Sequence, residues 1–306
     1  MLQKHRGELF LLGGAFLFAF NGIVSKLVLT SSLSALRLAQ VRSTGAFIIL
    51  FFLVFFRSRE KMRTTRKEIP QLALFGAIGI AAVQLGYFIA ISRMHVSFAL
   101  IIEFTAPIWI VLWIKYVKKR FVPKDMWLAI FLAFVGLLFI AQVWKGQTLD
   151  TVGLIAALLD AIALSVYFLM GEKLTQNRDT ESVTFFGFAF ATLAWLIILP
   201  IWNFPFEVFS ERINMQGIFA GYDSYGWVLI LWIIIFGTII PYLCVVTGIK
   251  TLSASTSSVI GMLEPVLVGI FAWWWLREDW LPLQIFGGAL VLVGIFIADR
   301  ARMEAH

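Results

Sequence analysis

The sequence predicts an all-α polytopic membrane protein, with ten transmembrane helices arranged as two inverted five-helix repeats. Three observations predict it: a composition too apolar for water, ten apolar runs of spanning length, and a second half that echoes the first. Of 306 residues, 60% are hydrophobic and only 14% charged, against roughly 45–50% and 25% in soluble domains. A soluble fold of this composition would lack the polar side chains to cover its surface.

A formal charge of +7 raises nucleic acid as a partner, but that reading needs the basic residues gathered on one face. Here they form short clusters between apolar runs, so no nucleic-acid partner is expected. The single cysteine, Cys244, permits no internal disulfide and reads as a small buried hydrophobe.

A span takes about 20 mostly apolar residues. The first run, about 8–29, follows Lys4 and Arg6. It is too long for a signal-peptide core and lacks a small-residue cleavage pattern, so it is expected to stay in the membrane. Runs at about 36–56, 70–92, 95–116 and 125–143 complete a first repeat, 1–145. Runs at about 151–172, 182–202, 226–249, 254–276 and 282–299 form a second, 146–306. The longest connection, about 203–225, reads as a surface loop.

Basic residues orient the chain. With the N-terminus inside, the cytoplasmic segments hold eighteen Lys and Arg, including Arg57 to Lys67 and Lys115 to Lys124. The opposite side holds five: Arg37, Arg93, Lys145, Arg212 and Arg277. The positive-inside rule therefore predicts that both termini are cytoplasmic.

Gly79 and Gly237, Ser97 and Ser255, Pro107 and Pro265, and Gly136 and Gly294 are each 158 residues apart. Spans three to five thus correspond to eight to ten. The first spans of the halves match more weakly, Gly7 with Gly153 and Ala15 with Ala161. Five spans is an odd number, so the second copy enters the membrane from the opposite side. Inverted repeats are an architecture by which secondary carriers alternate access; the plainer reading is a duplication that only builds a bundle.

The candidate site starts from "SVIGMLEPVLVGIF", Ser258 to Phe271, where Glu264 and Pro265 interrupt an apolar run. Proline has no N–H and clashes with the carbonyl four residues back, that of Gly261 for Pro265 and of Glu103 for Pro107. Each half is therefore expected to have a helix break beside a carboxylate. An ionised acid at a span's centre costs roughly 2.5–3.5 kcal/mol. Glu103, Asp160 and Glu264 are accordingly read as groups that carry a proton or partner a cation. Lys26 and Arg42 are available as intramembrane partners, or as side chains that snorkel to an interface.

Polar groups at similar depth are Asn21, Gln84, Tyr87, Thr105, Tyr167, Tyr242, Thr247 and Ser258. Each can serve as a helix–helix hydrogen-bond group; with Trp109 they can also line a moderately polar substrate cavity. Trp144, Trp202, Trp227 and Trp280, and the run Trp273 to Trp275, fall near span ends and read as interfacial anchors. His5, His95 and His306 are scattered, so no metal site is expected. No phosphate-binding glycine loop occurs. Neither cofactor nor enzymatic activity is expected.

The chain resembles EamA-type members of the drug/metabolite transporter superfamily over about residues 9–299. The likeness lies in "GMLEPVLVGIFAWWWLRE" (261–278), "GGALVLVG" (287–294), "AFLFAFNGIVSK" (15–26), and Arg42 opening "RSTGAFIIL". The family pattern places a proline mid-way in spans four and nine, matched by Pro107 and Pro265. It also places a Glu after each of these helices, matched by Glu278 but replaced in the first half by Arg120.

The resemblance implies a ten-helix carrier of the bacterial cytoplasmic (inner) membrane that exports amino acids or similar small metabolites. The expected partners are a small-molecule substrate and the lipid bilayer, in a monomer or homodimer; with no nucleotide site, the energy is expected from a solute, voltage or proton gradient, proton coupling being one possibility. The alternatives weighed are an importer of a sugar or nucleobase-like solute, a lipid translocase, an intramembrane enzyme and a small-solute channel.

Overall fold

A computed structural model describes residues 5–94, 96–145, 150–277, 279 and 281–304, excluding the side chains of 96–98, 145 and 302–304. His95, Glu278, Trp280, His306 and the side chain of Ser97 therefore lie outside the described residues. Among those described, ten helices are long and apolar enough to cross a membrane. They are Arg6–Val28, Ala35–Arg57, Ile69–Ile91, Ala99–Val117, Lys124–Ala141, Thr151–Thr175, Thr180–Ile198, Gly226–Thr251, Ala254–Leu276 and Pro282–Ala301.

Local chemistry sets their ends. The second, sixth, seventh and ninth spans each start on a side-chain cap. Ser34 accepts from the Arg37 amide, Asp150 from Gly153, Asp179 from Ser182 and Ser253 from Thr256, each satisfying an otherwise orphan N–H. The seventh span stops at Ile198, short of the expected 202, because Pro200 follows and Leu199 is extended at φ −129° and ψ 96°. The residue before a proline is driven out of helical backbone.

Spans four and nine are broken where the prolines require it. One helix ends at Glu103 and the next begins at Ala106, with Pro107 in its first turn. The ninth span breaks between Gly261 and Leu263, with Pro265 just inside the new helix. There the missing N–H costs nothing, because first-turn amides have no intrahelical partner. Tight bonds close both breaks, Thr105 N to Ile102 O at 3.0 Å and Met262 N to Val259 O at 3.1 Å.

Three π-helical segments, Leu74–Ala82, Trp113–Val117 and Ile235–Ile239, were not expected. A π turn inserts an extra residue and locally disturbs the backbone ladder. The first and third lie in the corresponding third and eighth spans.

The connection 203–225 is more structured than a plain loop. Arg212–Asn214 pairs antiparallel with Asp223–Tyr225, and the Trp275 indole donates to Met215 O at 2.9 Å. Gly217, at φ +53°, comes so close to the Trp275 carbonyl that a Cβ has no room. Trp275 is therefore buried at 5% exposure, a peg holding this cap, whereas Trp273 and Trp274 stay exposed as interfacial anchors do.

Packing between spans follows a reciprocal pattern. The fifth lies along the tenth and the second along the seventh; the first packs on the eighth and the sixth on the third. Close approaches recur in pairs. Asn21 meets Gly237 as Tyr167 meets Gly79, and Gly14 meets Cys244 as Asp160 meets Gly86. Gly7 meets Thr251 and Leu252 as Gly153 meets Arg93 and Met94. In every couple, the partners from spans one and six are 146 residues apart, and those in spans three and eight or just after them 158 apart.

Candidate functional site

The three intramembrane acids, isolated along the chain, converge in the fold. Glu103 stands at the break in the fourth span and Glu264 at the break in the ninth. Asp160 of the sixth span packs its Cβ against Gly86 of the third. Glu103 lies within the field of Glu264, and Asp160 within that of Glu103. The Tyr87 hydroxyl lies in the field of all three. In a low-dielectric interior such interactions are only weakly screened.

A cation stands opposite. Arg42 of the second span interacts with Glu264 and Tyr242. Its Nε donates to Thr238 Oγ1 at 3.0 Å and its Nη2 to Gly237 O at 2.9 Å, so it grips the π turn of the eighth span. It points inward and does not snorkel. Lys26, the other cation expected within a span, is exposed.

Arg42, Tyr87, Glu103, Tyr242 and Glu264 all lie deep in the bundle, yet each keeps part of its surface open. Tyr242 is ringed by Phe18, Tyr167 and Phe188, with centroids 5.1, 5.8 and 4.9 Å away. Gln84 accepts from Ser43 Oγ at 3.1 Å and Trp195 Nε1 at 3.2 Å. Asp160 Oδ1 and Tyr167 Oη are buried without a hydrogen-bond partner among the described residues. A buried polar atom left unsatisfied is costly and calls for an explanation.

The remaining candidates carry no charge. Asn21 is buried against Gly237 and accepts from Ser25 Oγ at 3.4 Å, on the same π turn that Arg42 holds. Ser258 spends its hydroxyl on Ser255 O at 2.8 Å. Trp109 donates to Thr105 Oγ1 at 3.2 Å within its own helix and is 41% exposed. Pro107 and Pro265 are buried at the breaks. Sequence reasoning did not find Ser43 or Thr238, which no local pattern marks.

One further grouping lies away from this site. His5, Glu8 and Asp299 come together near the ends of the first and tenth spans, with ligand atoms within 4.8 Å of one another. They line a cleft of about 260 Å³ beside Leu12 and Ile260. His5 is exposed.

Comparison with known proteins bears on this arrangement. The model of the EamA-like transporter family matches residues 5–142 and 151–298. An uncharacterized transporter of Archaeoglobus fulgidus is 21% identical, over 75% of each chain. The uncharacterized inner membrane transporter YicL of Salmonella typhimurium is 20% identical over 99% of each. The threonine/homoserine exporter RhtA of Escherichia coli K12 is 24% identical over 91% of this chain and 85% of its own. A solved crystal structure superposes with a TM-score of 0.78 at 16% identity, over 98% of this chain and 99% of that one, a likeness in fold.

Proposed function

We infer the function from one premise: the chain belongs to the EamA-like transporter family, and is a multi-pass membrane transporter of small molecules. We propose that it is a secondary carrier, and not an enzyme, that exports amino acids or similar small metabolites across the cytoplasmic membrane. RhtA, an amino acid exporter by name, is similar along most of both chains, which favours this cargo.

The observation that carries the reading is the meeting of Glu103, Asp160, Glu264 and Arg42, from four spans and both halves, beside two broken helices. Broken helices that present charge and backbone at the bilayer midplane are where carriers hold substrate and coupling ions. Glu264 would carry a proton in one state and release it to favour a cationic group of the substrate in the other. The two substances would thereby compete for one carboxylate.

The division into repeats 1–145 and 146–306, inverted with respect to each other, belongs to the same proposal. The reciprocal contacts of Asn21 with Gly237 and Tyr167 with Gly79 support it. Exchanging the conformations of two such halves exchanges the open side. Both termini would be cytoplasmic, on the asymmetry of basic residues.

The test compares metabolites in the medium of cells that overexpress the protein with those of cells that lack it. Export predicts an amino acid that accumulates outside the first and falls in the second. Depletion of a sugar or nucleobase from the medium by the overexpressing cells would favour import instead and contradict this reading.

A further inference from the structure

We propose that Arg42 anchors the carboxylate of the cargo, and that the site is built for the zwitterion of an α-amino acid. This rests on the carrier reading above and deepens it by naming the groups that bind.

An arginine at the centre of an apolar span is costly, and long basic side chains commonly reduce that cost by snorkelling. Arg42 turns instead to the bundle interior. Its two bonds, to Thr238 Oγ1 and Gly237 O, fix the guanidinium on the π turn. Thr238 is itself held, donating to Ile233 O at 2.9 Å. The planar fork is thus immobilised before any ligand arrives.

The donors are not exhausted. A guanidinium has five N–H groups, and these bonds use one on Nε and one on Nη2. Among the described residues Nη1 makes no hydrogen bond, and no carboxylate lies within ion-pair distance of Arg42. Glu264 acts on it through space only. A fixed fork with donors to spare is matched to a carboxylate, which it can grip through two parallel bonds.

The other end of the site is acidic. Glu103 lies in the field of Glu264, Glu264 in that of Arg42, and the two acids can receive an ammonium group. A cation and two acids that act on one another through space, each partly exposed, are complementary to a zwitterion. A neutral sugar or nucleobase would leave both charges without a partner. Were Arg42 only a brace for the π turn, the two existing bonds would suffice and the charge opposite would serve no purpose.

The experiment uses purified full-length protein in lipid nanodiscs and measures binding by calorimetry. The probes are L-threonine, L-leucine and L-phenylalanine, each with its methyl ester and its deaminated acid (3-hydroxybutyrate, 4-methylpentanoate, 3-phenylpropanoate). In the wild type, at least one amino acid should bind about tenfold or more tightly than its ester, the scale of a lost charge-assisted bond. Arg42→Gln should abolish that preference, amino acid and ester then binding within about twofold of each other. Arg42→Lys, keeping charge without the fork, should fall between.

Equal affinity of the wild type for every amino acid and its ester would overturn the proposal, as would an undiminished preference in Arg42→Gln or no binding of any carboxylate. The ester comparison in the wild type needs no variant to fold. The expected binding pattern without counterflow in proteoliposomes would overturn the carrier reading and leave the anchor standing.

Discussion

Asn21 lies against Gly237 where the first span crosses the π turn of the eighth, and Tyr167 lies against Gly79 in the corresponding turn of the third. The two contacts differ in kind. A Cβ on Gly79 would meet Tyr167 Cα at 2.9 Å and its amide nitrogen at 3.3 Å, whereas the three atoms nearest a Cβ on Gly237 all belong to the Asn21 side chain. Backbone cannot step aside, and a side chain can.

Gly79→Ala should therefore cost about 1–3 kcal/mol, the range for overpacking a close contact, and Gly237→Ala less. Gly13→Ala, where nothing lies within 4 Å of the new Cβ, should be neutral. Unfolding temperatures in detergent, followed by tryptophan fluorescence, check the order.

The three consecutive tryptophans should separate by role. Trp275→Phe removes the donor to Met215 O and leaves that carbonyl unsatisfied, at about 1–3 kcal/mol. Trp273→Phe and Trp274→Phe, both on exposed residues, should leave stability nearly unchanged. Proteolysis within 203–225 should speed up in the Trp275 variant alone.

A charged latch joins the connection after the second span to that between the sixth and seventh. Lys61 bonds Glu181 and lies 3.3 Å from Asp179, while Arg178 lies 3.2 Å from Glu68. The Glu181 bond holds the Lys61 pKa above its ordinary 10.5, against opposing burial. Bonds from the Thr65 amide and hydroxyl hold Glu68 below its ordinary 4.5, with Arg178 adding to them.

Lys61 therefore contributes stability below 10.5 and loses it as pH climbs through its raised value; Glu68 contributes above 4.5 and loses it as pH falls through its lowered one. The gap in unfolding temperature between wild type and Lys61→Met should stay constant up to about pH 10 and close above it. The gap to Glu68→Gln should stay constant above about pH 5 and close below about pH 4.

Topology is open to direct labelling. In a Cys244→Ser background, a cysteine at Ser58 should react with an impermeant maleimide only from the cytoplasmic side. One at Gly221, exposed with nothing near it, should react only from outside. Labelling of both from one side would contradict inverted halves.

The ten spans and both helix breaks were legible because each rests on a local rule. Span length follows from bilayer thickness, and Pro107 and Pro265 cannot continue a helix ladder. The acids at 103, 160 and 264 were legible as costly residues but not as neighbours, since their meeting depends on how three spans pack. The π turns at 74–82 and 235–239 escaped notice because a π turn has no composition of its own. Arg42 could be seen either to snorkel or to point inward, and only the carbonyl of Gly237 decides between them. Trp275 looked like its two neighbours because nothing local marks which indole finds a buried acceptor.

The most direct test of the account is counterflow in proteoliposomes, using the amino acid that accumulates in the medium of overexpressing cells, from pH 5.5 to 8.5. The wild type should show saturable uptake driven by unlabelled substrate inside and dependent on pH. Glu264→Gln should reach the membrane, keep its unfolding temperature within a few degrees, and lose about tenfold or more of the flux at every pH. A Glu264→Gln protein that exchanges substrate like the wild type throughout that range would contradict a carrier centred on this carboxylate.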